Sequence, residues 1–353
     1  MMSIESLNEL VVGKDITSID EDALANTSLQ SVYVDSANTA FKSNNNLLID
    51  IVNKTLLWGY GTNVTIPSDG SITRIGAHAF ACCTTLKSVS IPNTVTSIGN
   101  FAFINCSSLF KVTLPNNLKA LSECIFANCS SLTSVTIPDS VVTIHQGAFY
   151  GCSSLQTIHI PKNVTRIFDL QAWVTGDSVV NYYGGTHHYD TFDGCSRLKT
   201  FTVASGNTYY YSVDGVLYDK GSTTYQVFII AVPEALTGNI TVPEGVRTLT
   251  TIFAGSKISG ISLPSTLTCI KAGAFEGCTN LTTIQLKKNS DSERWCSDNE
   301  YWWFNLQWKD DNYTLSDICV SAFKGNRTWA MWSDSNGYDV YLSDYTITLR
   351  EKS

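Results

Sequence analysis

Six of the 11 cysteines recur at one position of a repeated pattern, and thiols are among the most reactive side chains in this sequence. At a spacing that is mostly 23 residues, these are Cys83, Cys106, Cys129, Cys152, Cys195 and Cys278. Such thiols could form disulfides, hold a metal or act as nucleophiles. However, an evenly repeated position makes the Cα–Cβ bonds parallel rather than converging, and no CxxC pair indicates zinc. We therefore predict reduced, buried thiols that pack as small apolar groups.

A second group of reactive side chains lies in the segment 168–191, which holds His187, His188 and Asp190. Imidazole and carboxylate groups are zinc ligands, but adjacent histidines in a glycine-rich loop rarely converge on one ion. We therefore predict no metal site and no cofactor. The segment is instead expected to make aromatic contacts, because loops on rigid scaffolds often carry recognition. Its candidate contact residues are Trp173, Tyr182 and Tyr183.

No motif of an enzyme active site is present: the sequence lacks a nucleophile elbow, a phosphate-binding loop, a dinucleotide fingerprint and an HExxH pair. The chain is therefore expected not to be an enzyme. With a net charge of −8 and no run of basic residues, it is not expected to bind nucleic acid. No apolar run is long enough for membrane insertion, and the first 20 residues lack the features of a signal peptide.

The elements that position these residues follow from a repeat, LxxVxIPxxVxxIgxxAFxxCxx, clearest from Leu86 to Ser154. Its alternation of apolar and polar residues predicts a strand with one buried face, which the proline ends. A short extended piece and a turn of helix that carries Phe103 or Phe149 inward complete the unit. Because one such unit cannot bury its apolar face alone, the units must stack. We predict an α/β solenoid of ~23-residue units, with parallel strands on the concave face and short strands or helical turns on the convex side.

Three interruptions divide the predicted solenoid, which spans residues 1–286. Residues 35–66 and 204–242 resemble each other and are predicted to be β-hairpin insertions, whereas 168–191 is a loop insertion. Residues 287–353 are predicted to be a tryptophan-rich C-terminal cap or small module. Its possible aromatic contacts are Trp302, Trp303, Trp329 and Trp332.

The repeat from Ile91 to Leu109, Ile-Pro-xx-Val-xx-Ile-Gly-xx-Ala-Phe-xx-Cys-xx-Leu, resembles the BspA-like leucine-rich repeats. The segment from Ser212 to Tyr218 also looks like one common in that family, and the resemblance covers about residues 15–286. It implies a surface or secreted protein of a host-associated microbe, with a role in adhesion and protein binding. It implies no catalytic residue. The missing signal peptide is a departure from the family pattern.

Outward positions of the parallel strands are expected to form a concave binding surface that is rich in hydroxyl groups and almost without charge. One interpretation is a hydrogen-bonding platform for a protein or glycan; the other is that Ser and Thr simply suit an exposed sheet. The face lacks the aromatic and arginine anchors that mark hot spots. Its candidate ligand-binding residues are Ser88, Ser90, Lys111, Thr113, Ser134, Thr136, Thr157, His159, Thr200 and Thr202.

Three functions are compatible with these patterns. The leading hypothesis is a non-catalytic binding or adhesion protein that recognises a protein or extracellular-matrix partner at a microbial cell surface. The first alternative is carbohydrate binding through the tryptophan-rich C-terminal region, since flat aromatic rings can stack on sugar rings. The second is a structural spacer. The sequence does not indicate an oligomeric state.

Overall fold

The described residues have the repeated parallel strands of a β-solenoid and almost no helix. The computed structural model describes residues 7–25, 27–168, 191–221, 227–249, 252–267, 274–275 and 277–283. It describes the backbone alone at 174–175, 178–179, 251, 269–270, 284–286, 306–309, 312–315, 329–334 and 337–342. The chain forms two compact units. Unit 1 consists of Met1–Leu198 and Thr202–Thr208, and unit 2 consists of Lys199–Phe201 and Tyr209–Ser353.

Unit 1 contains two sets of parallel strands that alternate along the chain. The first set comes from the leucine-rich half of each coil: β1 (Glu9–Val12), β2 (Ser31–Val34), β6 (Asn63–Thr65), β8 (Ser88–Ser90), β10 (Lys111–Thr113) and β13 (Thr157–Ile160). The return strands are β7 (Arg74–Ile75), β9 (Ser97–Ile98), β11 (Ala120–Leu121), β12 (Thr143–Ile144) and β14 (Arg166–Ile167). Within the first set β6, β8 and β10 pair in register, and β11, β12 and β14 do so among the return strands.

The helical component of the predicted α/β class is not confirmed. In the described part of the chain, one short 3-10 helix, Thr251–Phe253, is present and no α-helix. The predicted helical turns are hydrogen-bonded turns whose N–H groups donate to the next coil: Phe103 N to Ile125 O at 3.0 Å and Asn105 N to Ala127 O at 2.8 Å. An N–H that is used between coils cannot donate within a helix. Asn105 also has a φ of 59°, which is outside the helical region.

Each of the two predicted insertions contains an antiparallel three-strand meander. In unit 1 it consists of β3 (Phe41–Asn44), β4 (Leu47–Asp50) and β5 (Thr55–Gly59), and β5 then pairs in parallel with β7. In unit 2 it consists of β18 (Tyr210–Val213), β19 (Val216–Asp219) and β20 (Ile229–Ala231). Both meanders have a register shift at the same place, between Leu48 and Ile49 in one and between Leu217 and Tyr218 in the other.

A buried asparagine ties each meander to the coil before it. The Asn38 amide donates to Gly13 O at 2.8 Å and to Ile16 O at 2.9 Å, and its Oδ1 accepts from two backbone N–H groups of its own segment. The Asn207 amide likewise donates to Pro161 O at 2.8 Å and to Val164 O at 3.0 Å. These bonds satisfy the buried asparagine amides, which would be costly to bury unpaired.

The remaining strands lie mainly in unit 2. There, β21 (Thr237–Thr241), β23 (Lys257–Leu263) and β25 (Thr283–Leu286) form a parallel sheet, and β22 (Thr248–Leu249) pairs with β24 (Cys269–Ile270). The other strands are β15 (Val174–Thr175), β16 (Ser178–Val179), β17 (Thr200–Val203), β26 (Leu306–Lys309), β27 (Asn312–Leu315), β28 (Trp329–Asp334) and β29 (Gly337–Leu342).

A column of stacked phenylalanine rings forms the centre of unit 1. The ring centroids of Phe80 and Phe103 are 5.2 Å apart, those of Phe103 and Phe126 5.6 Å, and those of Phe126 and Phe149 5.9 Å. Phe192 continues the column at 6.0 Å from Phe149. Phe80 is 1% exposed and the next three rings are fully buried, so each coil supplies apolar surface that its neighbours cover.

The repeated cysteines of unit 1 form a second column, and the structure shows these and Cys278 of unit 2 as free thiols. Every one of these thiols except Cys83, which donates to Gly61 O, donates to the carbonyl of the phenylalanine one coil earlier: Cys106 Sγ to Phe80 O at 3.1 Å and Cys129 Sγ to Phe103 O at 3.2 Å. Cys152, Cys195 and Cys278 make the same contact with Phe126, Phe149 and Phe253, at 3.2, 3.2 and 2.8 Å. The thiols are therefore hydrogen-bond donors as well as the small apolar groups that the sequence predicts.

Burial also suppresses the reactivity of these thiols. It raises the pKa of Cys152 from its ordinary value of 9.0 to about 12, and it raises the pKa of Cys106 and Cys129 well above that value. A thiol with a raised pKa in the folded state contributes stability that is fully present below about pH 9 and is lost as the pH rises toward 12. At neutral pH almost no reactive thiolate is formed at these positions.

Replacement of Phe126 by alanine is expected to lower the free energy of unfolding by about 3–5 kcal/mol, because the cavity removes contacts with two stacked rings. Urea denaturation followed by circular dichroism measures the change. Phe110→Ala is the matched control, since that ring is 49% exposed, and it is expected to cost about 1 kcal/mol or less. Equal losses for the two variants would contradict a structural role for the column.

The buried thiols of the folded chain are expected to resist alkylation by iodoacetamide at about pH 8. Peptide mass spectrometry should find Cys106, Cys129 and Cys152 unmodified before denaturation and modified after it, since attack requires an exposed thiolate. Cys82, which is only partly buried, is the internal control and is expected to react more quickly. Rapid labelling of Cys129 in the folded chain would show that the column is open to solvent.

Candidate binding surface

The strand face of unit 1 consists of the outward side chains of β6, β8, β10, the extended segment 133–137 and β13, together with Thr202. Because side chains alternate along a strand, Val89 is buried whereas Ser90 is exposed. Of the ten residues predicted for the concave face, Ser88 and Thr200 are half-buried and the others are exposed. The exposed residues are Ser90, Lys111, Thr113, Ser134, Thr136, Thr157, His159 and Thr202.

Strand pairing brings several of these residues together. In the register of β8 with β10, Ser88 lies beside Lys111 and Ser90 beside Thr113. His159 Nδ1 lies 2.9 Å from Thr202 Oγ1. These neighbouring hydroxyl, amine and imidazole groups can donate and accept hydrogen bonds, and they leave the face with little net charge.

The segment around Ser134 and Thr136 differs from the prediction, because residues 133–137 do not form a strand in the described structure. They keep the alternating burial of a strand, with Val135 and Ile137 buried and Ser134 and Thr136 exposed. Apolar burial therefore fixes their orientation without a ladder of hydrogen bonds.

Amide groups add to the strand face, which the prediction described as a hydroxyl surface. Ser88 Oγ donates to Asn63 Oδ1 at 2.7 Å, and in unit 2 Ser259 Oγ donates to Asn239 Oδ1 at 3.0 Å. Sequence reasoning identified Asn63 and Asn239 only as part of the exits from the two insertions. The signal that could have placed them on a strand was their position two residues before Thr65 and Thr241, the outward positions of the repeat.

The first hairpin of each meander contacts neighbouring strands, which sequence reasoning did not predict. Val34 N donates to Ser43 Oγ at 3.2 Å in unit 1. In unit 2, Phe201 N donates to Gly215 O at 2.9 Å and Thr241 N donates to Asp214 Oδ2 at 2.8 Å. Gly215 has a φ of 84°, and a Cβ there would lie 3.0 Å from Thr200 Oγ1. The Asp-Gly dipeptide was the available signal, because it favours a tight hairpin turn.

Exposed apolar side chains are present near the strands, although the sequence indicated no aromatic anchor. Phe110, directly before β10, is 49% exposed. Val11 on β1 and Tyr33 on β2 are partners in the strand register and are 66% and 56% exposed. The prediction missed Phe110 because the motif assigns no property to the residue that follows its leucine.

The predicted aromatic contacts in the loop and the C-terminal region remain predictions. Trp173, Tyr182, Tyr183, Trp302 and Trp303 lie outside the described residues. Trp329 and Trp332 lie on β28, for which the backbone alone is described.

The charged residues around β7 have a structural role. Arg74 binds Glu21 through both guanidinium nitrogens, and Ala77 N donates to the same carboxylate at 2.8 Å. Burial would raise the pKa of Glu21, but these hydrogen bonds and the charge of Arg74 lower it. His78 Nδ1 lies 2.8 Å from Asp22 Oδ1 and its ring stacks on Phe101. These contacts connect the N-terminal coil to the coil that contains β7.

A tyrosine pair in the second meander is another place where titratable groups are buried. Tyr211 stacks on Tyr218 with ring centroids 5.4 Å apart, and burial raises the pKa of Tyr211 to about 12 and that of Tyr218 further. Burial also raises the pKa of Asp219, against the hydrogen bonds from Phe228 N and Gly221 N. The Tyr218 hydroxyl has no hydrogen-bond partner among the described residues. Ile49 occupies the equivalent position in the first meander, so the hydroxyl is not required by the fold.

No group of three His, Cys, Asp or Glu side chains that could hold a metal ion occurs in the described part of the chain. A search of the same residues for a helix long and apolar enough to cross a membrane finds none.

Comparisons with known proteins relate the chain to bacterial leucine-rich repeat proteins. A leucine-rich cell surface protein from Faecalibacterium prausnitzii is 22% identical, with 79% of this chain and 75% of that one covered and a TM-score of 0.48. A leucine-rich repeat protein from Bacteroides ovatus is 22% identical, with 71% and 70% covered and a TM-score of 0.40. The pneumococcal vaccine antigen PcpA is 15% identical, with 80% and 52% covered and a TM-score of 0.39. No curated protein matches the sequence.

A family model described as "BspA type Leucine rich repeat region" matches six copies in residues 2–47, 54–171 and 236–327. Those residues include the phenylalanine column from Phe80 to Phe149 and the thiols from Cys83 to Cys152. The match extends over well more than half of the chain. With its repeat, its parallel strands and its matched residues in agreement, the chain belongs to the BspA type leucine-rich repeat family.

Proposed function

We propose that this protein is a non-catalytic binding module that recognises a protein partner, including extracellular-matrix proteins, through the strand face of unit 1 at a microbial cell surface. The observation that carries the proposal is a row of exposed hydroxyl and amide groups on strands whose register is fixed. Members of the family are typically surface or secreted proteins that mediate adhesion and protein binding, which supports the location and the class of partner.

The rigidity of the strand face favours binding. Ser90 and Thr113 are held side by side by the register of β8 with β10, above buried Val89. Short hydroxyl side chains have few rotamers, so little side-chain entropy is lost when they are immobilised by a partner. A pre-formed surface therefore retains more of the free energy of its contacts as affinity.

The distribution of reactive groups agrees with a non-catalytic role. The thiols of Cys106, Cys129 and Cys152 are buried and have a raised pKa, and Tyr218 is fully buried within the second meander. His159, on the strand face, contacts the hydroxyl of Thr202. None of the contacts described for the strand face pairs a nucleophile with a base that is oriented by a third group, which is the usual arrangement for covalent catalysis.

The double substitution Ser90→Arg with Thr113→Arg is expected to weaken binding to a matrix partner at least about tenfold, because two large charged side chains prevent close approach to the strand face. Binding of the purified full chain to a panel of immobilised extracellular-matrix proteins is measured by biolayer interferometry.

The matched control is Thr96→Arg with Ser97→Arg, which adds the same charge to exposed residues at β9 on the return side. The control should bind like the unaltered chain. If no member of the panel binds the unaltered chain, or if both double variants lose binding equally, the strand face is not the recognition surface.

A further inference from the structure

We propose that Lys87, Phe110 and Lys111 form a recognition patch for an acidic protein segment, in which a carboxylate lies next to an apolar side chain. This inference rests on the proposed function and specifies the partner chemistry at one edge of the strand face. Together these three residues are called the basic–apolar patch.

Backbone contacts place the three residues together. Phe110 N donates to Lys87 O at 3.0 Å, so the two residues lie on neighbouring coils, about 4.8 Å apart along the stack. Lys111 follows Phe110 in the chain and pairs with Ser88 in the register of β10 with β8. All three side chains of the patch are exposed.

Phe110 is an exception to the repeat. The equivalent position is Lys87 in the coil before it, Thr133 in the coil after it and Gln156 in the next. Packing within the coil does not require an aromatic ring here, because the ring is 49% exposed where the equivalent side chains are polar. Exposed aromatic rings beside cationic groups are typical of the residues that anchor protein interfaces. Burial of the Phe110 ring by a partner would contribute hydrophobic free energy to binding.

The charge of this part of the chain is opposite to that of the whole protein. The chain has 31 acidic and 23 basic residues and a net charge of −8, but residues 70–122 contain no Asp or Glu. Neither Lys87 nor Lys111 forms an ion pair with any residue of the described structure. The basic–apolar patch is therefore a local site of positive potential that attracts an anionic partner.

The other basic residues of 70–122 have different positions or partners. Arg74 is bound to Glu21, and the ring of His78 lies between Asp22 and Phe101. Lys119 is exposed directly before β11, on the return side of its coil. The positive charge that faces a partner at the strand face consequently comes from Lys87 and Lys111.

The composition of the patch favours a protein partner over an anionic polysaccharide. Recognition of sulfate and phosphate groups often uses arginines, whose planar guanidinium groups bind two oxygens at once, whereas this patch has two lysines and no arginine. An uncharged sugar would not use the charge. A carboxylate beside an apolar side chain matches both features, with an ion pair at a lysine and burial of Phe110.

The experiment measures binding of the full chain to a synthetic peptide that combines glutamate with leucine, to the same peptide with lysine in place of glutamate, and to heparin. The glutamate peptide is expected to bind and to dissociate as salt is raised, whereas the lysine peptide is not. Lys111→Glu and Phe110→Ser are each expected to weaken binding of the glutamate peptide at least about tenfold.

Matched controls lie on the return side of the same region. Lys119→Glu makes the same charge change as Lys111→Glu, and Val142→Ser removes an exposed apolar side chain as Phe110→Ser does. Both controls should bind like the unaltered chain. Circular dichroism confirms that all four variants are folded.

The proposal would be overturned if the glutamate peptide did not bind, or if the patch variants and their controls lost the same amount of affinity for it. It would also be overturned if heparin bound with the same strength and with the same dependence on Lys111 and Phe110. Each is distinguishable from failure of the proposed function. The strand-face variant with Arg at Ser90 and Thr113 is tested against matrix proteins, and that result does not depend on the glutamate peptide.

Discussion

The hydrogen bond from a buried thiol to the phenylalanine carbonyl of the preceding coil is the interaction on which the stack depends. Each of these carbonyls also accepts a backbone N–H of its own coil, as Phe103 O does from Cys106 N at 3.2 Å, so the thiol of the next coil is the second donor to an oxygen that has two lone pairs. Cysteine is small enough to lie next to Phe103 or Phe126 and still carries a donor. The two columns therefore act together. The stacked rings exclude water, and the thiols donate to the carbonyl groups of the phenylalanines that carry those rings.

The same requirement explains how the meanders join the stack. Where the regular repeat is interrupted, Asn38 and Asn207 donate to backbone carbonyls of the coil before them, as a repeated thiol does elsewhere. Their amides have two donor hydrogens and so reach two carbonyls each. An insertion is tolerated because its first buried side chain completes the hydrogen bonding of the preceding coil. The surface beyond it, including the strand face, can then vary without disturbing the core.

Much of the core followed from the sequence, and much of the surface did not. The spacing of Phe80, Phe103 and Phe126 predicted the stacked column, because a fixed period can bury an aromatic ring only against its own repeats. The turns were predicted as helical because local propensity does not reveal that their N–H groups donate to the next coil. The exposure of Phe110 could not be predicted from the motif either. A motif describes what the repeats share, whereas Phe110 occupies a position at which its coil differs from the others.

The thiol column also has a consequence for how such chains change length. Each coil brings one thiol donor and leaves one phenylalanine carbonyl as an acceptor for the coil that follows, as Cys129 and Phe126 do. Gain or loss of a whole 23-residue unit therefore keeps each thiol beside a phenylalanine carbonyl, and the longer coil before Cys195 also keeps this contact, since Cys195 donates to Phe149 O. Recombination between repeats can lengthen or shorten the protein in whole coils and offer a partner a longer or shorter row of strands, with the core chemistry unchanged.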